Sequence, residues 1–312
     1  MPVPGGMFEP TATSPREAHV TIPKSATPLA SARKPRDDEV EVYGLTHPGL
    51  VRKVNQDHFL ICQLEKRVRV YQTSLPNGDA FAPFGERMAF LAMVADGVGG
   101  GTKGEAASRL ALHAVTEYVA LSMRCYHTLD ATDDQAFLDA LQEAAWQGHA
   151  RVVAESEGHP DLRGMATTLT LWLAVWPRAY LLQIGDSRFY QYANGALTRL
   201  SRDQTMAQEL VDQGVLSHST AFESRWAHVL SSSIGGQQTA PVVNRMDQEW
   251  DAVYLLCSDG LTKHVPEERI AERLGTMTSC RQVCEALLQD ALDGGGSDNV
   301  SIIVGRDVKK DV

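Results

Sequence analysis

The chain has 312 residues, of which 43% are hydrophobic and 22% are charged. This is the composition of a globular protein, and it excludes a chain that is wholly disordered, collagen-like or coiled-coil. Twenty-nine Lys and Arg residues stand against 39 Asp and Glu residues, which gives a formal net charge of −10. Proteins that bind nucleic acids or anionic membranes need a surplus of positive charge, so we expect neither partner here.

The N-terminal segment is rich in Pro, Ala, Thr and Ser and has little apolar surface to offset the entropy of ordering. We expect residues 1–37 to be a disordered tail, with a tethering or regulatory role left open. This tail also lacks the basic-then-apolar pattern of a secretory signal. One folded domain is predicted over residues 38–308, followed by a C-terminal tail over residues 309–312.

Short apolar and β-branched segments predict the strands, and apolar residues at helical spacing predict the helices. Strands are predicted from residue 40 to 45 and over residues 58–63, 68–73, 88–95, 167–176, 179–184, 189–193, 196–200, 250–257 and 300–305. Helices are predicted over residues 104–123, 133–157, 203–213, 266–274 and 279–292. Asn194-Gly195 is a strong hairpin signal, and residues 76–79 are predicted to form a loop. An exposed flap is predicted at about residues 203–244, most of which are polar and poorly periodic.

Strands and helices alternate irregularly, without a repeating βαβ unit, so the sequence predicts an α+β fold. The longest apolar run, residues 168–184, is interrupted by Pro177 and Arg178 and does not suit a membrane-spanning helix. Five scattered cysteines do not indicate a disulfide framework. A reducing, cytoplasmic location is therefore expected.

Three aspartates stand at the ends of apolar strands, close to glycine. Asp96 follows MAFLAMVA, Asp259 follows YLLCS, and Asp298 lies in GGGSDN just before VSIIV. Carboxylates at the edge of a core are costly unless they are paired or bind a cation, and no run of Lys or Arg is placed to pair with them. A hard divalent ion with oxygen ligands would resolve this conflict. The alternative is that Asp-Gly is only a frequent turn dipeptide.

A further acidic position lies in the segment GLVRKVNQD, residues 49–57. If this segment is extended, the side chains of Arg52 and Asp57 would reach the same end of a sheet. The planar guanidinium of Arg suits a phosphate group, and Asp57 would serve the cation directly or through water. For this segment alone, a surface Arg and a turn Asp are the simpler interpretation.

Seven segments together carry a family resemblance, and they span about residues 40–306 in the family's order. They are HPGLVRKVNQD (47–57), VADGVGG (94–100), GMATTL (164–169), IGDSR (184–188), SSIGG (232–236), LLCSDGL (255–261) and GGSDNVSIIV (295–304). In these segments the chain resembles the metal-dependent serine/threonine protein phosphatases of type 2C, in their bacterial form. The resemblance implies a two-sheet antiparallel β-sandwich flanked by helices on both faces. It also implies a binuclear Mn²⁺ or Mg²⁺ site at one end of the sandwich.

The resemblance also implies roles for single residues. Asp96 is expected to bridge the two ions, and the Gly97 carbonyl to bind one of them. Asp259 and Asp298 are expected to be the remaining direct ligands. Asp57 matches an acidic residue at the metal pair.

Two further residues take their roles from the same resemblance. Arg52 matches the arginine that binds the phosphate, and Asp161 matches a position that helps to hold a weaker third ion. The expected reaction is attack on phosphorus by a metal-activated water, without a phosphoenzyme. The expected substrates are proteins carrying phosphoserine or phosphothreonine, produced by a Ser/Thr kinase of the same cell.

The chain departs from the family pattern at three positions near these residues. Gln56 stands where many relatives have Glu. Val98 stands where animal-type relatives have a His proposed as general acid, so the leaving oxygen must take its proton from water or another group. Lys263 stands where some members have an Asp for the third ion, which makes the third site depend mainly on Asp161.

Two of the motifs also fit other kinds of site. Residues 99–104 satisfy the G-x-G-x-x-G pattern, but Asp96 would repel a pyrophosphate and the βαβ unit is missing. Ser187 could be read as a nucleophile, although a turn at the end of a strand is the preferred interpretation. A catalytically silent module that binds phosphoproteins, and a sensor-linked phosphatase that binds its partner through the tail or the flap, are the alternative functions.

Overall fold

The computed structural model describes residues 33–65, 68–74, 87–122, 134–222 and 224–310. The strands within these residues are β1 (Val40–His47), β2 (His58–Leu64), β3 (Val68–Thr73), β4 (Ala89–Ala95), β5 (Gly97–Val98), β6 (Ala166–Thr167), β7 (Leu169–Val175), β8 (Arg178–Ile184), β9 (Arg188–Ala193), β10 (Ala196–Arg199), β11 (Val242–Asp247), β12 (Val253–Cys257) and β13 (Val300–Asp307). The α-helices are α1 (Thr102–Ser122), α2 (Asp134–Gly158), α3 (Met206–Asp212), α4 (His218–Phe222), α5 (Asp259–Thr262), α6 (Glu267–Gly275) and α7 (Cys280–Asp293).

The strands form two large antiparallel sheets. One has five strands in the order β1-β13-β12-β9-β10, and the other has six in the order β11-β8-β7-β4-β2-β3. β5 and β6 form a separate two-stranded sheet. The predicted two-sheet antiparallel sandwich is thereby confirmed.

Successive side chains along the central strands point to opposite faces of the sheet, as expected for β-strands. In β4, Phe90, Ala92 and Val94 join the apolar layer that also contains residues of both sheets, including Tyr254 and Ile303. The intervening residues of β4 belong to a different layer, which is shared with helices α1 and α2. A strand that is buried on both faces has no polar face, which explains the continuous apolar run in its sequence.

The helices cover the outer faces of the two sheets. Buried residues of α1 and α2, such as Leu112 and Leu141, pack against the six-stranded sheet. Buried residues of α6 and α7, such as Ile270 and Leu287, pack against the five-stranded sheet. The order of layers is therefore helix, sheet, sheet, helix, as the resemblance implied.

The hairpin prediction is confirmed, whereas other local details were missed. Asn194 and Gly195 join β9 to β10, and both have positive φ, +53° and +78°. The edge strand β11 and the short helices α4 and α5 were not predicted. β11 is mostly exposed and lacks the apolar pattern of the other strands. The predicted loop at residues 76–79 lies outside the described residues.

Within the described residues, contacts with the domain are already present at residue 33, before the predicted boundary at residue 38. Arg33 forms an ion pair with the buried carboxylate of Glu39, and Lys34 donates a hydrogen bond to the backbone carbonyl of Arg87. The basic residues at the end of the predicted tail therefore anchor the chain to the sandwich. Residues 1–32 lie outside the described part.

Asp290 on α7 joins the two outer helices of the five-stranded sheet through ion pairs to Arg269 and Arg273 of α6, at 3.0 and 2.7 Å. Hydrogen bonds from Arg273 and Arg269 lower the pKa of Asp290 to about 2, against the opposing effect of burial. A depressed pKa adds stability above the pKa of the unfolded chain, near 4, and this stability is lost as the pH falls toward 2.

We therefore predict that Asp290→Asn lowers the free energy of unfolding by roughly 1 kcal/mol at pH 7. The loss is this small because solvent partly screens the ion pairs of Asp290. Thermal unfolding of both proteins should show this difference narrowing as the pH falls from about 4 toward 2. Asp293→Asn, an exposed change on the same helix, is the control and should cause a smaller loss. A difference that does not depend on pH would contradict the assignment to charge pairing.

Candidate active site

Four aspartates meet at one end of the sandwich because of the register of the strands. Asp57 precedes β2 and Asp96 follows β4, and His58 of β2 pairs with Ala95 of β4. In the other sheet, Asp259 follows β12 and Asp298 precedes β13, which are antiparallel neighbours. The ends of the two sheets therefore carry two carboxylates each.

Hydrogen bonds between the sheets hold these ends together. Ser258 donates from its hydroxyl to Oδ2 of Asp57 at 2.7 Å, and the backbone N–H of Gln56 donates to Oδ1 of Asn299 at 2.9 Å. The amide of Asn299 also donates to the backbone carbonyls of Pro48 and Val54. These hydrogen bonds hold the carboxylates of the two sheets close to one another.

Asp57 and Asp96 are carboxylates in an unfavourable environment. Burial raises the pKa of Asp57 to about 7, and the charge of Asp259 adds to this, although the hydroxyls of Ser258 and Ser301 oppose it. Burial also raises the pKa of Asp96 well above its usual range, and the neighbouring aspartates raise it further, Asp57 most of all. Both shifts show that the protein does not supply enough positive charge here.

Two carboxylate oxygens in this group have no hydrogen-bond donor. They are Oδ1 of Asp57 and Oδ1 of Asp259, both buried. Native proteins seldom leave such atoms unpaired, and each one calls for an explanation such as a water molecule or an ion. Unpaired hard oxygen atoms beside other carboxylates are the donors that Mg²⁺ and Mn²⁺ prefer.

Asp298 differs from the other three because two cations contact it. Arg52 approaches with Nε at 2.9 Å and Nη2 at 3.0 Å, and Nζ of Lys263 lies at 2.7 Å. Burial would raise the pKa of Asp298, but Lys263 and Arg52 outweigh it and hold the pKa below its usual value. This position of Arg52 is consistent with the prediction that its side chain reaches the same end of the sheets as the aspartates.

A cleft of about 520 Å³ opens beside three of the four aspartates. Arg52, Asp96, Gly97, Asp259 and Asp298 are among the residues that line it. A neighbouring cleft of about 660 Å³ also contains Arg52, Asp259, Lys263 and Asp298 in its lining. The candidate site is therefore open enough to admit a charged group on a flexible chain.

Gly97 is required at its position because two backbone segments meet there. A Cβ atom on Gly97 would lie 2.2 Å from the carbonyl oxygen of Gly104 and 2.7 Å from that of Gln56. The first turn of α1 is therefore in close contact with the segment that carries Asp57. This close approach keeps Asp96 beside Asp57.

Asp186 is a site residue that the sequence interpretation missed. It lies in the turn between β8 and β9, lines both clefts and is 8% exposed. Burial raises its pKa well above the usual range, and the charge of Asp259 raises it further. Asp186 also follows an apolar strand and stands beside glycine, so the criterion applied to Asp96 and Asp259 would have found it.

Asp161 stands apart from the other predicted residues. It lies in an exposed 3₁₀ turn, Pro160–Leu162, after α2, and it does not line either of the clefts described above. Among the described residues, none of the ion pairs or hydrogen bonds links it to the four aspartates. Its role at a third ion stays a prediction from the resemblance.

The alternative motifs do not fit the structure. The glycine-rich loop before α1 follows a strand of an antiparallel sheet, and Gln56 donates a hydrogen bond to the carbonyl of Gly101 in that loop. A dinucleotide fold would need a parallel sheet. Ser187 is fully buried and shares a hydrogen bond with the hydroxyl of Thr168, so it is not accessible to a substrate.

The acidic residues do not yet form a coordination shell. In the described ranges, no three His, Cys, Asp or Glu side chains are arranged so that they could hold one ion as they stand. Nζ of Lys263 lies 2.6 Å from Asp259 and 2.7 Å from Asp298, which occupies oxygen atoms of both. The donor chemistry fits a divalent ion, while the arrangement of the side chains requires rearrangement before one binds.

Comparison with known proteins identifies the family. The sequence profile described as Protein phosphatase 2C matches residues 68–294. The chain belongs to the protein phosphatase 2C family.

Individual relatives agree with this assignment. The serine/threonine protein phosphatase PstP of Mycobacterium tuberculosis is 34% identical over 223 residues, which cover 72% of this chain and 41% of PstP. The serine/threonine phosphatase stp of Listeria monocytogenes is 29% identical over 220 residues, 70% of this chain and 85% of stp. The chain thus spans about two fifths of the length of PstP and most of that of stp.

The fold agrees with a solved structure of the same family. The catalytic domain of PstP, crystallised in complex with two manganese ions, superposes with a TM-score of 0.65 at 30% identity. The superposition covers 86% of this chain and 99% of that domain. The similarity extends over almost the whole described domain.

The crowding of the aspartates should lower the stability of the folded chain when no metal is present. In a chelating buffer at pH 7.5, Asp96→Asn should raise the free energy of unfolding by about 1–2 kcal/mol, because it removes a buried charge without a counter-ion. Thermal unfolding of the two proteins measures this change. Asp290→Asn, which removes a paired charge, should act in the opposite direction. A lower melting temperature for Asp96→Asn would show that Asp96 is compensated after all.

Proposed function

We propose that this chain hydrolyses phosphoserine and phosphothreonine on proteins, with two Mn²⁺ or Mg²⁺ ions as cofactors. The observation that carries the proposal is the meeting of Asp57, Asp96 and Asp259 at one end of the sandwich, where one buried oxygen atom each of Asp57 and Asp259 has no hydrogen-bond donor. Membership of the protein phosphatase 2C family supports it. The names of its relatives, and the two manganese ions in the PstP complex, support it further.

The residues that would hold the ions are the four aspartates at the strand ends and one backbone carbonyl. Asp57, Asp96, Asp259 and Asp298 would supply carboxylate oxygens, and Gly97 its backbone carbonyl. Asp161 would contribute to a weaker third ion. When bound, a pair of divalent ions makes water a nucleophile at neutral pH.

The chain's own residues would bind and orient the substrate. Arg52 is half-exposed and already makes a two-point contact with a carboxylate, Asp298. The same planar geometry suits two oxygen atoms of a phosphoryl group, so the phosphate would take the place of Asp298 at the guanidinium. The hydroxyl of Ser258 would keep Asp57 oriented through the hydrogen bond to Oδ2.

A cysteine nucleophile is not a feature of the described residues. Cys62, Cys257, Cys280 and Cys284 are free and buried. Burial raises the pKa of Cys62 and of Cys257 to about 12, so their thiols stay protonated at neutral pH. Direct attack by water, without a phosphoenzyme, agrees with these observations. The proton for the leaving oxygen would come from water or another group, because Val98 cannot supply one.

The substrates would be products of a Ser/Thr kinase in the same cell, and a cytoplasmic location is expected. No helix within the described residues is long and apolar enough to cross a membrane.

A catalytically silent module of the same fold, which binds phosphoproteins, is the second candidate function. Lys263 favours it, because its ammonium group bridges two of the proposed metal ligands.

The first test is a phosphatase assay with purified protein and Mn²⁺, on p-nitrophenyl phosphate and on a phosphothreonine peptide. We expect turnover that chelation removes, and a loss of at least about a hundredfold in Asp96→Ala and Asp259→Ala. Binding of the peptide without any turnover would favour the silent module. Absence of both turnover and binding would contradict both candidates.

The second test concerns the phosphate contact of Arg52. Arg52→Ala should raise the KM for the phosphopeptide about tenfold or more, since it removes a charged two-point contact. Arg52→Lys should recover only part of the loss. Lys53→Ala, an exposed change at the next residue, serves as the control and should leave KM unchanged. An unaltered KM in Arg52→Ala would remove Arg52 from the phosphate site.

A further inference from the structure

Lys263 holds a position among the aspartates that the local helix determines. Asp259 is the first residue of the short helix α5, and Lys263 follows its last residue. The backbone N–H of Lys263 donates to the carbonyl of Asp259 at 2.8 Å, so the two residues are one helical turn apart. Side chains at this spacing lie on the same face, which directs Lys263 toward the carboxylate of Asp259.

The ammonium group of Lys263 bridges two carboxylates that come from different parts of the chain. Its Nζ lies 2.6 Å from Oδ2 of Asp259 and 2.7 Å from Oδ2 of Asp298. All three side chains are largely shielded from solvent, so water weakens these ion pairs less than it would at the surface. Of the ion pairs within the described residues, this is the one that involves Asp259.

The positive charge is distributed unevenly over the cluster. Asp298 contacts both Lys263 and Arg52, and Asp259 contacts Lys263. Asp57 and Asp259 still have one unpaired oxygen atom each. Lys263 and Arg52 together therefore balance the charges of Asp259 and Asp298, on the side of the five-stranded sheet, and leave Asp57 and Asp96 on the other side uncompensated.

We propose that Lys263 is an internal counter-cation that competes with divalent ions for Asp259 and Asp298, and so weakens the affinity of the site for metal. This inference rests on the metal site of the proposed function. An ion that takes both carboxylates must first displace the ammonium group. The displaced side chain has space to move, because Lys263 lines the neighbouring cleft of about 660 Å³.

The competition has two energetic consequences. Without metal, the Lys263 bridge stabilises the folded chain, because it compensates two crowded carboxylates. With metal, the same charge repels the ion and its hydrogen bonds have to be broken. Lys263 is a positioning residue in this account, since it acts through the ligands and not on the substrate.

The direct test is calorimetric titration of the chelator-treated full chain with Mn²⁺. Lys263→Gln should bind Mn²⁺ about tenfold more tightly than the unmodified chain, the effect of removing one nearby positive charge. Lys263→Arg should bind like the unmodified chain, because it keeps the charge. Without metal, Lys263→Gln should melt at a lower temperature, and added Mn²⁺ should raise its melting temperature by a larger interval.

Lys103→Gln provides a matched control for the loss of one positive charge at the same end of the molecule. Lys103 donates to the backbone carbonyl of Arg163 and does not form an ion pair with the four aspartates. Its substitution should change the affinity for Mn²⁺ less than about twofold. An affinity of Lys263→Gln equal to or weaker than that of the unmodified chain would overturn the inference and leave the proposed function standing. Failure of both the unmodified chain and Lys263→Gln to bind Mn²⁺ would instead overturn both.

A second measurement needs no variant and applies even if Lys263→Gln does not fold. The unmodified chain is treated with an amine-acylating reagent with and without Mn²⁺, and acylation at each lysine is measured by mass spectrometry. Mn²⁺ should increase acylation of Lys263 several-fold relative to Lys103, because the displaced amine becomes accessible. Equal acylation of Lys263 in both conditions would show that metal binding does not move it.

Discussion

The crowding of acidic side chains at one end of the sandwich is the constraint on which the rest of this structure depends. Asp57, Asp96 and Asp259 come from three strand ends, and their charges raise one another's energy in a region with little water. The fold accepts this cost because cross-sheet hydrogen bonds and apolar packing hold the strand ends in place. A cation at this point relieves the repulsion, and this links the stability of the domain to its proposed chemistry.

The local backbone explains why the strands end where they do. A Cβ atom on Gly260 would lie 1.9 Å from the carbonyl oxygen of Asn299, so only glycine allows α5 to begin this close to β13. Gly97 has the same role on the other sheet, where α1 approaches. In both places an aspartate precedes the glycine. The close contact that requires glycine therefore also brings the preceding carboxylate to the edge of the core.

Patterns within single segments predicted much of the fold and part of the site. Apolar runs and helical spacing identified the main strands and helices, and aspartates at strand ends identified Asp96, Asp259 and Asp298. What the patterns could not show depends on contacts between distant segments. The bridge from Lys263 to Asp298 and the bond from Ser258 to Asp57 join residues far apart in the chain. Asp186 was missed for another reason, because its motif was interpreted only as a turn.

The most direct test of the central claim is X-ray diffraction from crystals grown with Mn²⁺, with anomalous scattering used to locate the ions. We expect two anomalous peaks among the oxygen atoms of Asp57, Asp96, Asp259 and Asp298, with the ammonium group of Lys263 withdrawn from the carboxylates. Peaks elsewhere, or none among the four aspartates while Lys263 still bridges two of them, would contradict it.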